Sequence, residues 1–439
     1  MLLGVGVSDD LCAAQKPGFS LAARGTIIAN AFGFHQKVFS CNEVSFEHAF
    51  FMPPLTKSQS HHCTQAHDTD HLPRVVIDLE RLRHINCGLG RFSLELGLEI
   101  LKSAQGRVQP LLFAPKTAAR YFAGQTFERI DVAPWKKEAV LRMVRPLVQP
   151  LLPKSKVSLW HVTHQTSRYL PLDARVPIVL TIHDLNFLHT APHDDQLKNM
   201  NRKLADIQQR VNRAAAIVTD SEYVAQDVKD HVVLGGRPVH VVPLGLSKPC
   251  AASNIRPEFA PSGSFLLSVG NALAHKNFHV LFDLLENLPG QRLVVAGKKA
   301  TPYGEFLERE VIRKGLADRV IFPGEVSDAD RQWLYEHCEA FLFPSLTEGF
   351  GFPVLEAMQC GKPVFMSRRT SLPEIAGTCG FYFDTFNPAN MAAAYWAGMS
   401  AFHADPGFAA KTMAHAATFS WVQTAQSYVR IYEQILAAS

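Results

Sequence analysis

The sequence predicts an α/β protein with two domains, and three observations support this fold class. A strand, a glycine-rich turn and the start of a helix follow one another at 74–104 and again at 340–358. The run Ile178–Ile182 is almost wholly apolar, which is typical of a parallel strand buried on both faces. At 439 residues, the chain is long enough for two such domains and an additional segment.

Composition and charge are those of a globular protein, with 47% hydrophobic and 19% charged residues. The net charge of +4 does not require a nucleic-acid partner, and we expect none. The eight cysteines include no C-x-x-C pair, so reduced thiols and a cytoplasmic location are expected. No apolar run reaches the ~18 residues of a membrane-spanning helix. No basic segment precedes the apolar N-terminus, so we expect no signal peptide.

Residues 1–72 do not fit the strand–helix alternation and are expected to form a poorly structured extension. Imidazole and thiolate groups can bind zinc, and four histidines lie near Cys63: His61, His62, His67 and His71. Their spacing matches no compact set of zinc ligands. We therefore predict no metal site in this segment.

One later stretch combines several signals. The apolar run Ala340–Phe343 predicts a buried strand, and a glycine-rich turn leads to Pro353 and a helix over Val354–Met358. Proline favours the first position of a helix. The turn therefore points backbone N–H groups and the positive end of a helix dipole at one spot, where a phosphate would bind. Gly349 and Gly351 allow the backbone to approach such a ligand closely.

Two carboxylates flank this turn: Glu348 precedes it, and Glu356 is predicted to lie in the first turn of the helix. A carboxylate beside an anion site is unfavourable unless it faces neutral groups rich in hydrogen-bond donors, such as sugar hydroxyls. We therefore interpret Glu348 as a hexose contact and Glu356 as a ribose contact, with a diphosphate between them. The alternative is that Glu348 is an exposed loop residue and Glu356 an acid favoured by the helix dipole.

Glu348 and Glu356, eight positions apart around Gly-Phe-Gly-Phe-Pro, resemble the E-x7-E signature of the retaining glycosyltransferases of family 4. The resemblance extends from about residue 74 to the C-terminus and is strongest to the mannosyltransferase-like members of group 1. It implies the GT-B fold, in which two doubly wound Rossmann-like domains face each other across a cleft. The expected parts are an acceptor-side domain at 73–247, a linker at 248–264, a nucleotide-sugar domain at 265–420 and a helix at 421–439 that packs back on the first domain.

The resemblance also implies roles for residues of the first domain. Gly88 and Gly90 match a glycine-rich loop near the donor diphosphate, although a cysteine replaces one of the family's glycines. His183 stands at the end of a T-x-H-D strand and is expected to face the transferred sugar, as a catalytic residue alongside Glu348. Asp184 is expected to cap the next element or to orient His183.

In the second domain, Lys276 matches a basic position of the family at the beginning of a helix and is expected to meet the pyrophosphate. Lys298, at the carboxyl end of the next strand, is a second phosphate candidate. Val326 matches a segment whose backbone meets the nucleotide base. Some members carry an arginine where this chain has Asn271. The remaining donor contacts are expected from the turn itself: Gly349, Phe350, Gly351, Phe352 and Glu356.

The resemblance implies transfer of a hexose from a nucleotide sugar to a saccharide or lipid-linked acceptor in bacterial surface polysaccharide synthesis. GDP-mannose is the favoured donor, with UDP- and dTDP-hexoses as alternatives. No convincing Asp-x-Asp motif stands at a strand end, so we expect no essential metal and no other cofactor. Two rival functions remain: a sugar-nucleotide 2-epimerase of the same fold and a nucleotide-sugar binding protein without turnover.

The stretch 135–156 interleaves basic and apolar residues. Such a stretch can lie on an anionic membrane surface, which would suit a lipid-linked acceptor at the inner face of the membrane. A solvated helix with an ordinary buried face explains the pattern equally well.

Overall fold

The computed structural model describes residues 56–57, 71–85, 87–131, 156–189, 194–251 and 253–439. Three predictions therefore lie wholly or largely outside the described residues. These are the poorly structured extension at 1–72, of which only 56–57 and 71–72 are described, the histidines near Cys63, apart from His71, and the amphipathic stretch up to residue 155. Among the described helices, none combines the length and the apolar character needed to cross a bilayer.

The first sheet has eight described strands in the order β1-β4-β3-β2-β5-β6-β7-β8. All neighbours are parallel except β1, which runs antiparallel to β4. The chain passes outward from β2 on one side and then returns to continue from β5 on the other, as in a doubly wound sheet. The strands are β1 (Thr56–Lys57), β2 (Arg74–Asp78), β3 (Gln109–Ala114), β4 (Glu128–Asp131), β5 (Leu159–Val162), β6 (Ile178–Ile182), β7 (Ala216–Thr219) and β8 (Val239–Val241).

The second sheet has six described strands, all parallel, in the order β11-β10-β9-β12-β13-β14. Its strand order reverses between β9 and β12, and the loops after these two strands therefore border the crevice where doubly wound sheets bind ligands. The strands are β9 (Leu266–Val269), β10 (Leu293–Ala296), β11 (Val320–Gly324), β12 (Ala340–Phe343), β13 (Val364–Ser367) and β14 (Phe381–Phe383).

The described helices connect these strands and cover the faces of both sheets. They are α1 (Gly88–Ser103), α2 (Asp194–Val211), α3 (Glu222–His231), α4 (Val280–Glu286), α5 (Pro302–Arg313), α6 (Asp328–His337), α7 (Phe352–Gln359), α8 (Leu372–Ala376), α9 (Pro388–Ala404), α10 (Phe408–Ala417) and α11 (Trp421–Ala437). Two doubly wound α/β sheets confirm the predicted fold class.

The last helix, α11, packs along α1 and reaches the first sheet through buried polar contacts. The Tyr432 hydroxyl lies 2.7 Å from Nδ1 of His161, whose Nε2 lies 2.9 Å from the hydroxyl of Thr181. The Tyr428 hydroxyl lies 3.0 Å from the same threonine oxygen. Because buried polar groups are costly without partners, these bonds determine where the helix sits on the sheet.

Two helices begin earlier than the sequence pattern predicts. The sequence pattern predicts a helix from Ser93, but α1 begins at Gly88. Cys87 in extended conformation ends the loop there, so Gly88 and Gly90 lie in the first helical turn. Helix α7 begins at Phe352 after Gly351, whose φ of 120° suits only glycine. Pro353 is therefore the second helical residue, and Glu356 lies in the second turn, not the first.

The predicted position of Lys276 at the start of a helix is also wrong. Lys276 ends a short 3-10 turn, Ala274–Lys276, and α4 begins four residues later at Val280. Between them, Asn277 adopts the left-handed conformation with φ 58°, which stops the turn. Lys276 is thus held in a tight loop after β9.

Candidate active site

A cavity of about 690 Å³ lies between the carboxyl edges of the two sheets. The loops after β6 and β7 and the start of α1 line it from the first sheet, and the loops after β9, β10, β11 and β12 line it from the second. It brings together ten of the twelve residues that the sequence singled out: Gly88, His183, Lys276, Val326, Glu348, Gly349, Phe350, Gly351, Phe352 and Glu356.

Gly90 and Lys298 are not among the residues that line this cavity. Gly90 lies against the backbone before α1, where a Cβ atom would come 2.2 Å from the carbonyl oxygen of His84. Its role in the structure is therefore close packing. Lys298 is exposed, and only its backbone N–H reaches toward the site, 3.3 Å from Oδ1 of Asn271.

Glu348 and Lys276 form an ion pair on the second-sheet side of the cavity. Lys276 Nζ lies 2.6 Å from Glu348 Oε1, which also accepts a hydrogen bond from the Ser345 hydroxyl at 2.6 Å. The ammonium group sits 4.9 Å from the centre of the Phe343 ring, a cation–π distance. Each charged side chain is only 13% exposed, so the two charges are oriented by the protein and not by water.

The start of α7 presents free backbone donors to the cavity. Among the described residues, none accepts a hydrogen bond from the N–H groups of Gly351 or Phe352. Unpaired N–H groups at a helix start, together with the helix dipole, favour an anion. The Ser371 hydroxyl braces the turn from behind, 3.0 Å from the carbonyl oxygen of Glu348 and 2.9 Å from that of Phe350.

The two phenylalanines of the turn serve as anchors as well as cavity walls. The ring of Phe350 packs against Phe352 and Phe419, with centroids 5.2 and 5.8 Å apart. The Phe352 ring stacks on Trp421 at the start of α11. These contacts tie the turn to the final helix. A ligand at this turn would therefore be contacted chiefly by the backbone.

Glu356 is held at the far side of the α7 start. Its Oε2 accepts a hydrogen bond from the Tyr335 hydroxyl at 2.8 Å, and Nε of Arg331 lies 3.9 Å away. Burial and the neighbouring carboxylate both raise the pKa of Tyr335 well above its ordinary value, so the phenol remains protonated and donates. The second carboxylate oxygen of Glu356 thus stays available to another hydrogen-bond donor.

Two arginines were missed by the sequence analysis, which expected lysine alone to supply positive charge. Arg91 on α1 and Arg331 on α6 both line the cavity, and Asp328 Oδ1 lies 2.5 and 3.0 Å from their guanidinium nitrogens. They bring cations to a site where Asn271 replaces the arginine of some family members. A sequence signal existed for Arg91, because it directly follows the glycine-rich motif.

His183 lies at the cavity floor with both ring nitrogens bonded to the protein. Nδ1 is 2.6 Å from Oδ2 of Asp220, and Nε2 is 2.9 Å from the carbonyl oxygen of Thr163. Burial lowers the pKa of His183, but Asp220 and the Thr163 carbonyl outweigh it and raise that pKa above the ordinary value. The ring of Phe92 meets the imidazole edge-on at 4.6 Å.

Asp184 precedes the 3-10 turn Asn186–Leu188, and its Oδ1 accepts a hydrogen bond from the N–H of Asn186 at 3.1 Å. Leu185 holds the cap position of that turn, so Asp184 supports its start without being the cap residue. The carboxylate that orients His183 is instead Asp220, at the end of β7. No role was predicted for Asp220 from the sequence. Asp220 lines the cavity, and its Oδ1 has no hydrogen-bond partner among the described residues.

The two sheets are joined directly at the cavity floor. A Cβ atom on Gly349 would come 2.0 Å from the carbonyl oxygen of His183, so only glycine fits at position 349. The Ser221 hydroxyl donates to the Gly349 carbonyl at 2.9 Å. The Glu374 carboxylate accepts hydrogen bonds from the N–H groups of Glu222 and Tyr223 at the start of α3.

Within the described part of the chain, no group of three or more histidine, cysteine, aspartate or glutamate side chains is arranged to hold a metal ion. The expectation that activity needs no metal stays a prediction.

Two family models match most of the chain. One, described as glycosyl transferases group 1, matches residues 254–395, and the other, described as glycosyltransferase family 4, matches residues 88–247. The first range contains Lys276, Glu348 and the start of α7, and the second contains His183 and the start of α1. Each model thus covers one wall of the cavity.

Curated relatives include mannosyltransferases. The serotype-specific mannosyltransferase WbdA of Escherichia coli is 29% identical over 255 residues, which cover 54% of this chain and 30% of that protein. The O-antigen chain mannosyltransferase B of Escherichia coli is 33% identical over 126 residues, which cover 27% of this chain and 32% of that protein. The matches therefore span only about a third of the length of these relatives.

Solved structures share the fold at low sequence identity. The sucrose-phosphate synthase of Thermosynechococcus elongatus superposes with a TM-score of 0.61 at 18% identity, covering 84% of this chain and 100% of that one. HepE of Anabaena, in complex with UDP-glucose, gives 0.60 at 19% identity with the same coverage. The two family models show that the chain belongs to the group 1, family 4 glycosyltransferases, and the solved structures share its GT-B fold.

Proposed function

We propose that the protein is a retaining glycosyltransferase that moves mannose from GDP-mannose to a saccharide or lipid-linked acceptor in bacterial surface polysaccharide synthesis. The observation that carries the proposal is the placement of Glu348 and Glu356 on either side of the α7 start, within one cavity. The mannosyltransferase names of two relatives support mannose as the transferred sugar.

Five charged groups of the cavity have a role in this proposal. The leaving diphosphate lies over the free N–H groups at the start of α7, where Lys276 reaches it as a point charge. Glu348 accepts hydrogen bonds from hexose hydroxyls and Glu356 from ribose hydroxyls. Arg91 and Arg331 add positive charge at the rim.

Transfer breaks the bond between the sugar's anomeric carbon and the phosphate oxygen, and forms a bond from that carbon to the acceptor oxygen. The electron pair of the broken bond goes to the diphosphate, whose charge the amide dipoles and Lys276 stabilise. In a displacement on one face of the sugar, the acceptor proton passes to the departing phosphate oxygen. The configuration at the anomeric carbon is then retained.

The test is a donor panel with the purified full chain. GDP-mannose, UDP-glucose and dTDP-glucose are each incubated with and without a mannose-terminated acceptor, with and without EDTA. Release of nucleoside diphosphate and the product's anomeric configuration by NMR are recorded. We expect acceptor-dependent release of GDP that EDTA leaves unchanged, and an axial (α) product.

Each rival function has its own result in the same experiment. Conversion of the donor sugar without an acceptor would identify an epimerase. Tight donor binding without release of a nucleoside diphosphate would identify a binding protein. Full transfer by a Glu348→Ala variant would contradict the assignment of the site itself.

A further inference from the structure

The pairing of His183 with Asp220 has a chemical consequence. A carbonyl oxygen only accepts hydrogen bonds, so Nε2 of His183 must carry the hydrogen that binds the Thr163 carbonyl at 2.9 Å. At 2.6 Å, a proton must also lie between Nδ1 and the Asp220 carboxylate, because two lone pairs would repel each other at that distance. Two protons are therefore shared among the ring and its partners.

Asp220 depends on His183 as much as His183 depends on Asp220. The Asp220 side chain is 2% exposed, and its Oδ1 lacks a hydrogen-bond partner among the described residues. A buried carboxylate without an opposite charge is strongly destabilising. Burial raises the pKa of the Asp220 carboxyl, and the charge and hydrogen bond of His183 oppose that rise. The imidazolium is therefore what favours the ionised form of Asp220.

We propose that Asp220 is a positioning residue that holds His183 as an imidazolium with both N–H groups bonded within the protein. The ring then contributes a fixed positive charge to the cavity floor and exchanges no proton with the substrate. The catalytic meaning of this inference rests on the proposed function. The inferred charge state of the ring is independent of that function.

The charge is well placed for a departing diphosphate. His183 lines the cavity, and its own carbonyl oxygen abuts Gly349, the residue that opens the turn into α7. Because the paired Asp220 carboxylate also lines the cavity, the pair is neutral overall, and the ring supplies its positive pole beside the helix start. Since both nitrogens are taken, His183 acts by charge and not as a general acid or base.

The other titratable groups around the ring support this charge state. His161 and His164 stand behind it on the β5 side, and burial lowers their pKa values to about 3 and about 2, so they remain neutral. Asp184 lies on the ring's own segment and adds a further negative field. Tyr428 of α11 approaches Asp220, and burial holds its pKa well above the ordinary value.

The direct test is NMR of full-length protein labelled with ¹⁵N-histidine. The His183 signals are assigned by their loss in His183→Gln. In the wild-type protein, we expect both ring nitrogens of His183 to remain protonated from about pH 6 to about pH 8, where an ordinary histidine loses its proton. Finding Nδ1 unprotonated at pH 7 would overturn the proposal. The titration itself is made on the wild-type protein without substrate, and the His183→Gln variant serves only to assign the signals.

Asp220→Asn then separates charge from shape, because the amide keeps the size of the side chain but cannot neutralise an imidazolium. We expect the pH at which His183 loses its second proton to fall by at least about one unit, a tenfold loss of the charged form at a fixed higher pH. The matched control is Asp227→Asn, which changes another histidine–aspartate pair, with His189, outside the cavity lining. It should leave the His183 signals unchanged.

Activity provides the second readout. Between about pH 6 and about pH 8, the wild-type kcat should show no ionisation from His183, whereas Asp220→Asn should lose kcat as pH rises, with little change in the donor KM. A variant with a flat profile and an unchanged kcat would refute the catalytic meaning of the charge. A wild-type protein without transferase activity would refute the proposed function alone, because the NMR result stands independently.

Discussion

Lys276 and Glu348 follow the two strands between which the order of the second sheet reverses, and their charged atoms lie 2.6 Å apart. Each side chain would otherwise be a costly, nearly buried charge. The pair therefore keeps the cavity wall ordered before a donor arrives. When a diphosphate binds, it can attract Lys276, while the Glu348 oxygens accept hydrogen bonds from sugar hydroxyls.

Replacing Lys276 by methionine should lower kcat/KM for the donor by roughly 10- to 150-fold, the value of about 1.5–3 kcal/mol for a hydrogen bond to a charged group. Glu348→Ala should abolish transfer, because the hexose hydroxyls lose their hydrogen-bond acceptor and Lys276 loses its ion-pair partner. Steady-state kinetics with GDP-mannose measures both effects. Lys298→Met is the matched control, since that lysine is exposed and outside the cavity lining, and its kinetics should equal those of the wild type.

The role of Glu356 can be tested with donors that lack a ribose hydroxyl. If Glu356 binds the ribose, the wild-type enzyme should use 2′-deoxy or 3′-deoxy GDP-mannose less well by roughly 10-fold or more. Glu356→Ala should lose most of that discrimination. Tyr335→Phe removes the 2.8 Å hydrogen bond that orients Glu356. Its discrimination between the ribose and deoxyribose donors should lie between that of the wild type and that of Glu356→Ala. An equal penalty in all three proteins would show that Glu356 does not contact the ribose.

The two glycines at the start of α1 should respond differently to alanine. A Cβ atom at Gly90 would come 2.2 Å from a backbone carbonyl, so Gly90→Ala should reduce the free energy of unfolding by about 1–3 kcal/mol through forced backbone movement. At Gly88, no atom lies within 4 Å of the new Cβ. Gly88→Ala should therefore unfold at the wild-type urea concentration, or slightly above it. Similar midpoints for the two variants would contradict the packing around Gly90.

Stability should depend on pH through Asp78, at the end of β2. Burial raises the pKa of its carboxyl from 3.8 to about 7, although the Ser167 hydroxyl and the N–H of Glu80 bind it. Between about pH 4 and about pH 7, the folded protein therefore holds a proton that the unfolded chain has lost. The free energy of unfolding contributed by this group falls as pH rises through that interval, by at most about 4 kcal/mol.

Asp78→Asn removes the titration of this carboxyl group while keeping one hydrogen-bond acceptor oxygen. Urea unfolding of both proteins at about pH 5 and about pH 8 should show the variant gaining stability relative to wild type as pH rises. A difference between the two proteins that does not change with pH would mean that Asp78 ionises normally in the folded state.

Much of the site was predictable from short stretches of sequence. Glycine, proline and apolar runs act over a few residues, and so the strand, the turn and the two glutamates around it could be found without the fold. The exact starts of α1 and α7 could not, because Cys87 and Gly351 take cap positions through their backbone conformations, which residue type alone does not determine. The resulting shift moved Glu356 from the first helical turn to the second.

Local sequence thus determined the α/β class, the anion-favouring turn after β12 and ten of the residues that meet in the cavity. Tertiary structure alone decided the partners of those residues. Arg91 and Asp328 are 237 positions apart, and His183 and Asp220 are 37 apart, so neither pair leaves a pattern in any short window of sequence. Such contacts arise only when strand order brings distant loops to the same edge of a sheet, and the charge state of His183 is determined there.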